Sequence, residues 1–133
     1  MGTLHCPSVV AREAEFHRPG VLARADFIQV VNGPDIPMQA MPAELPLHAG
    51  ELAGLAWAEK FGADILLSDD MAARTAAERM GLEICGSIGV ILQAVDGGHL
   101  RAEDARELLR QIPERSTLHV SAGLLASAVK KLR

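Results

Sequence analysis

The chain has 133 residues, with 13 Lys and Arg against 17 Asp and Glu, a net charge of −4, 49 % apolar residues and four aromatic rings (three Phe, one Trp). That length predicts one domain of ordinary core size over residues 1–133, and the acidic balance argues against a strongly basic nucleic-acid-binding surface. Its apolar stretches are broken by charge or Gly well short of the roughly 20 residues a membrane-spanning helix needs, so no membrane association is expected.

In chain order, Pro7 and Ser8 suit a helix start, and the good helix formers behind them predict a helix over 7–17. Phe27-Ile28-Gln29-Val30-Val31 is a β-branched run closed by Asn32-Gly33-Pro34, a strand ending in a turn. From Asn32 to Leu47 four prolines (34, 37, 42 and 46) and the lack of any period predict a long loop. Leu52, Leu55, Ala56 and Glu59 mark a helix over 48–61 with an inward apolar stripe, stopped by Gly62.

Ile65-Leu66-Leu67 reads as a short strand buried on both faces. Asp69-Asp70 then caps a helix in which Ala73, Ala76, Ala77 and Met80 share one face, ended by Gly81. Leu82–Cys85 is a further strand. Ile88, Ile91, Leu92 and Val95 give the next helix, which Gly97-Gly98 ends. Ala105, Leu108, Leu109 and Ile112 give another, stopped by Pro113, and Thr117–Val120 leads through Ser121 into a last helix reaching Leu132. Helices alternating with short strands between 48 and 95 require right-handed crossovers. The predicted class is therefore α/β: a three-layer α/β/α arrangement around a mostly parallel sheet.

In such sheets ligands bind at the carboxyl ends of the strands, where Asp69 and Asp70 fall. Two carboxylates there suit a hard divalent cation, although Asp before a helix is also a common N-cap. Glu51 lies in the first turn of its helix behind Gly50, which leaves the backbone open to close approach; its charge also suits a helix N-terminus by itself. Glu13 and Glu15 are two apart on the first helix, so only one can face the sheet and the other is expected in solvent.

Other motifs point less to chemistry. Gly86-Ser87-Ile88-Gly89 lacks a P-loop Lys and reads as a tight turn. The five His show no i, i+4 pair, which disfavours zinc, and Ser68 has no nucleophile-elbow glycines. Cys6 and Cys85 lack CxxC spacing and read as buried thiols. Arg101, Arg106, Arg110, Arg115, Lys130, Lys131 and Arg133 offer either a basic rim or merely solvated helix faces. The N-terminus lacks a basic n-region and an apolar h-region, which predicts a cytoplasmic protein.

Three runs, Gly50 to Ala58, Gly62 to Asp70 and Gly81 to Gly89, together with Ala73-Arg74, resemble PIN-like domains, in particular prokaryotic members with a Gly-Glu helix start and an Asp-Asp doublet. The resemblance extends over roughly 7–132 and is most specific in 50–95. It implies a Mg²⁺- or Mn²⁺-dependent ribonuclease, in many members the toxin of a toxin–antitoxin pair, with RNA as substrate and an antitoxin protein as partner. By the same resemblance Glu13, Glu51, Asp69 and Asp70 are the catalytic and metal-binding acids. Family members begin with a strand carrying an Asp, followed by a helix, and nothing of that kind precedes Pro7. The strand-helix unit and first catalytic Asp are therefore expected to be missing, which weakens any activity and leaves sheet edges that favour homo-oligomers.

Two readings follow. One is an active ribonuclease built on those four acids; the other is a catalytically inactive PIN-like protein acting through oligomerisation. A small-molecule α/β enzyme lacks any cofactor fingerprint.

Overall fold

A computed structural model of the chain describes residues 3–32, 47–115 and 122–132. The loop expected over 32–47 and the segment Thr117–Val120 lie, but for Asn32 and Leu47, outside the described residues. The chain is α/β, with short parallel strands and six α-helices among the described residues. It forms two compact units, Met1–Ile84 and Cys85–Arg133.

The first unit opens with β1 (Leu4–Pro7), followed without a loop by α1 (Ser8–His17), a 3-10 turn (Leu22–Arg24) and β2 (Ile28–Val31). β1 and β2 pair in parallel, Leu4 opposite Ile28 and Pro7 opposite Val31. This corrects the expectation that no strand precedes the Pro7 helix, though β1 carries no carboxylate. Four residues that include His and Cys and end in Pro give no readable strand pattern; the ladder with β2 makes them one.

Next come α2 (Ala49–Phe61), β3 (Ile65–Leu67), α3 (Met71–Arg79) and β4 (Glu83–Cys85). Gly62, at φ 70°, is the left-handed cap that ends α2. β3 and β4 form a second two-stranded sheet, separate from β1-β2. The core here is Leu55 with Ala76 and Ala77, flanked by Leu47, Leu66, Met80, Leu82 and Ile84.

Two burial expectations are corrected. Only Leu66 of β3 meets that core, while Ile65 and Leu67 are 42 % and 47 % exposed, because in this strand successive side chains take opposite sides and helices cover one of them. Leu52 likewise points outward, and the buried face of α2 is Gly50, Leu55, Ala56 and Ala58. Glycines and alanines on α2 let neighbours approach closely. A Cβ on Gly54 would lie 3.3 Å from Leu66 Cδ1, and Trp57 stacks on His5 of β1 with ring centroids 4.6 Å apart.

The second unit holds α4 (Ser87–Asp96), α5 (Ala102–Arg115) and α6 (Ala122–Lys131). Ala105, Leu109, Ala128 and Leu132 form its core, with Ile88, Ile91, Leu92 and Val95 of α4 packed on it. α5 does not stop at Pro113 but continues to Arg115. Proline removes one donor near the end of the helix, and the burial of Leu109 with Ile112 beside it holds the turn. Arg106 donates a hydrogen bond to the Leu132 carbonyl, tying α5 to the end of α6. Cys6 and Cys85 are free and only half-buried, not the buried thiols expected. No helix among the described residues is long and apolar enough to cross a membrane.

Candidate metal centre

The four sequence-derived acids occupy two places. Glu13, an exposed residue, lies on α1 and Glu51 in the first turn of α2, and the packing of these helices sets the Glu13 carboxylate against the start of α2. The Glu13 carboxylate rests against Gly50, the residue before Glu51: a Cβ there would be 2.9 Å from Oε2 and 3.3 Å from Oε1. The start of α2 has no side-chain cap, since His48 makes no capping bond. The first N–H within the helix to find a partner is that of Leu52, on the His48 carbonyl. The N–H groups of the three residues before it point out of the helix end and favour negative charge there, a stabilisation of about 0.3–1 kcal/mol per charge. Glu13 supplies that charge from another helix.

Glu51 carries the unusual atom. Its Oε2 is buried and has no hydrogen-bond partner. A buried acceptor without a donor costs about 1–3 kcal/mol, more if charged, and a cation removes that cost. Hard carboxylate oxygens are the ligands Mg²⁺ and Mn²⁺ prefer, and Mg²⁺ commonly takes one or two carboxylates, filling its remaining positions with water and substrate oxygens. Glu13 and Glu51 fit that demand. Among the described residues, no group of three His, Cys, Asp or Glu is gathered closely enough to hold an ion by itself.

Asp69 and Asp70 stand at the carboxyl end of β3. Asp70 is the N-cap of α3, its Oδ2 accepting from the Ala73 N–H at 2.8 Å, and its own N–H donates to Ser68 Oγ at 3.2 Å. Asp69 is exposed. Asp70 therefore has a structural task independent of any ion, and its second carboxylate oxygen is not used by the cap.

Of the two acids on α1, Glu13 is exposed and Glu15 half-buried. Glu15 accepts hydrogen bonds from the backbone N–H of Gly20 at 2.8 Å and of Leu22 at 3.0 Å, fastening the turn after α1. The Gly20 bond, then the Leu22 bond, hold its carboxyl below the ordinary glutamate value. A carboxyl so lowered stabilises the fold above its unfolded pKa of about 4.3, and that contribution disappears as pH falls through the lower folded value. Glu15→Gln is accordingly expected to flatten the acid limb of the stability–pH curve below about pH 4.5, as read by urea unfolding between pH 3 and 6.

Three of the seven basic residues are engaged locally. Arg101 pairs with Asp104 at 2.9 Å, Arg110 with Glu107 at 4.0 Å, and Arg106 holds the Leu132 carbonyl. These contacts favour the solvated-face reading over a dedicated basic rim. In place of the tight turn expected, Gly86 is the N-cap of α4 and Ser87–Gly89 its first residues, where a Cβ on Gly89 would sit 2.6 Å from Cys85 Sγ.

Compared with known proteins, residues 2–133 match a family model described as DUF3368, a PIN domain. No curated protein and no solved structure matches.

Proposed function

Because the chain belongs to the PIN-domain family, whose function is broadly nuclease-type and generally dependent on divalent metal, we propose that it is a Mg²⁺- or Mn²⁺-dependent ribonuclease centred on Glu13 and Glu51, with Asp69 and Asp70 as further acids. The observation that carries this reading is the buried, unpartnered Oε2 of Glu51, in the same helix turn whose Gly50 receives the Glu13 carboxylate. A cation held there would activate water and offset charge on the phosphate. The chain's own residues contribute position: α1 and α2 hold the two carboxylates, the α2 N-terminus offsets their mutual repulsion, and the Ala73 N–H fixes the Asp70 side chain. A toxin role, an antitoxin partner, a cytoplasmic location and homo-oligomers belong to the same proposal.

The test is cleavage of a single-stranded RNA in Mg²⁺ or Mn²⁺ by the wild type and by Asp70→Asn. The wild type is expected to cut only with metal. Asp70→Asn keeps an oxygen acceptor for the cap, so its midpoint falls by no more than about 1 kcal/mol equivalent while cleavage is lost. Wild-type RNA left intact at millimolar metal contradicts the reading.

The second reading, an inactive PIN-like protein acting through association, is favoured by the use of Asp70 as a cap and by a β1 strand without a carboxylate. It predicts concentration-dependent self-association indifferent to metal.

A further inference from the structure

Gly50 is a helical residue where glycine is not required by the backbone. Its φ is not positive, unlike those of Gly20, Gly62, Gly81 and Gly98, so any L-residue can adopt its conformation. It is buried in the first turn of α2, and glycine inside a helix is less favourable than alanine. What the missing Cβ permits is the approach of one group, the Glu13 carboxylate, whose Oε2, Oε1 and Cδ lie 2.9, 3.3 and 3.4 Å from where that Cβ would be. These atoms are the mobile end of a side chain, so an alanine there displaces the carboxylate rather than the backbone.

We infer that Gly50 is a positioning residue: its lack of a Cβ sets the Glu13 carboxylate against the first turn of α2, next in the chain to Glu51, at the expense of helix stability. The inference rests on the metal-centre reading above and adds to it the residue that holds two acids from different helices in register. Gly50→Ala improves the intrinsic preference of α2 for helix while moving Glu13 out of place, so stability and metal binding change in opposite directions. A glycine needed only for packing would not separate the two.

The experiment compares wild type, Gly50→Ala and Gly50→Ala/Glu13→Ala in three measurements: metal-free unfolding followed by Trp57 fluorescence, Mn²⁺ binding by calorimetry, and the metal-free ¹³C carboxyl resonance of Glu13. In Gly50→Ala the midpoint is expected to hold or rise, the Glu13 resonance to move, and Mn²⁺ affinity to fall about 10-fold or more, the range seen when groups that orient metal ligands are lost. An unmoved Glu13 resonance overturns the inference, whether or not the wild type binds Mn²⁺. So does an unchanged Mn²⁺ affinity, and so does a drop in midpoint that Glu13→Ala fails to reverse, since the glycine would then serve backbone packing. If the resonance moves but the wild type binds no Mn²⁺, the positioning stands and the metal reading falls.

Discussion

Glu51→Gln is expected to raise the thermal midpoint of the metal-free protein while abolishing its response to Mn²⁺. The expectation follows from one atom, the buried Oε2 that meets no donor. Replacing the carboxylate by a neutral amide of the same shape relieves part of an orphaned acceptor's cost, and after the favourable helix-end charge is subtracted the gain is about 1 kcal/mol, or about 4 °C for a chain of this size. The same change removes a hard anionic ligand, so the metal-induced rise in midpoint disappears. RNA cleavage is expected to fall by more than the roughly 100-fold typical of outer-shell partners. Stabilisation gained with function lost is characteristic of a group kept for its chemistry. A midpoint that falls on substitution, with the Mn²⁺ response intact, would make Glu51 an ordinary structural acid.

The largest loss of stability is expected from Leu55→Ala. Leu55 is 0 % exposed and lies at the centre of the first unit's core, where two of its buried neighbours are Ala76 and Ala77. Alanines have no side chain to swing into the space left behind, so the cavity persists and the cost belongs in the upper part of the 2–5 kcal/mol range for such truncations. Against a total stability of about 5–15 kcal/mol, that is a third or more of what holds the fold. Urea unfolding followed by Trp57, the one Trp of the chain, reads the effect as a lowered midpoint with an unchanged slope. A loss below about 1 kcal/mol would mean that the core around Leu55 is looser than the structure shows.

How much of this was legible in the sequence varied with the range of the interactions. α3 was readable from its own residues: the N-cap at Asp70, the Ala73, Ala76 and Ala77 face and the stop at Gly81 are all local, and all appear. β1 was not, because its identity as a strand depends on pairing with β2 more than 20 residues away. The outward turn of Leu52 and the exposure of Ile65 and Leu67 also escaped periodicity, which says which residues share a face but not what covers it. The acids divide in the same way. Capping by Asp70 is a short-range reading. The approach of Glu13 to Gly50 joins α1, which ends at His17, to α2, which begins at Ala49, and only the glycine, as a gap for something to enter, hinted at it. Glu15 could not be told from Glu13 by spacing; its partners are the N–H groups of a turn whose course the sequence does not specify.

The start of α2, where Glu13 meets Gly50 next to Glu51, is the proposed place of cation binding. This placement is tested most directly by adding Mn²⁺ to ¹⁵N-labelled protein and locating the amide resonances that broaden, since paramagnetic broadening falls steeply with distance from the ion. Glu13, Gly50 and Glu51 are expected to broaden first, and Glu51→Gln to remove the effect. Broadening confined to other acids, or none at millimolar Mn²⁺, would contradict it.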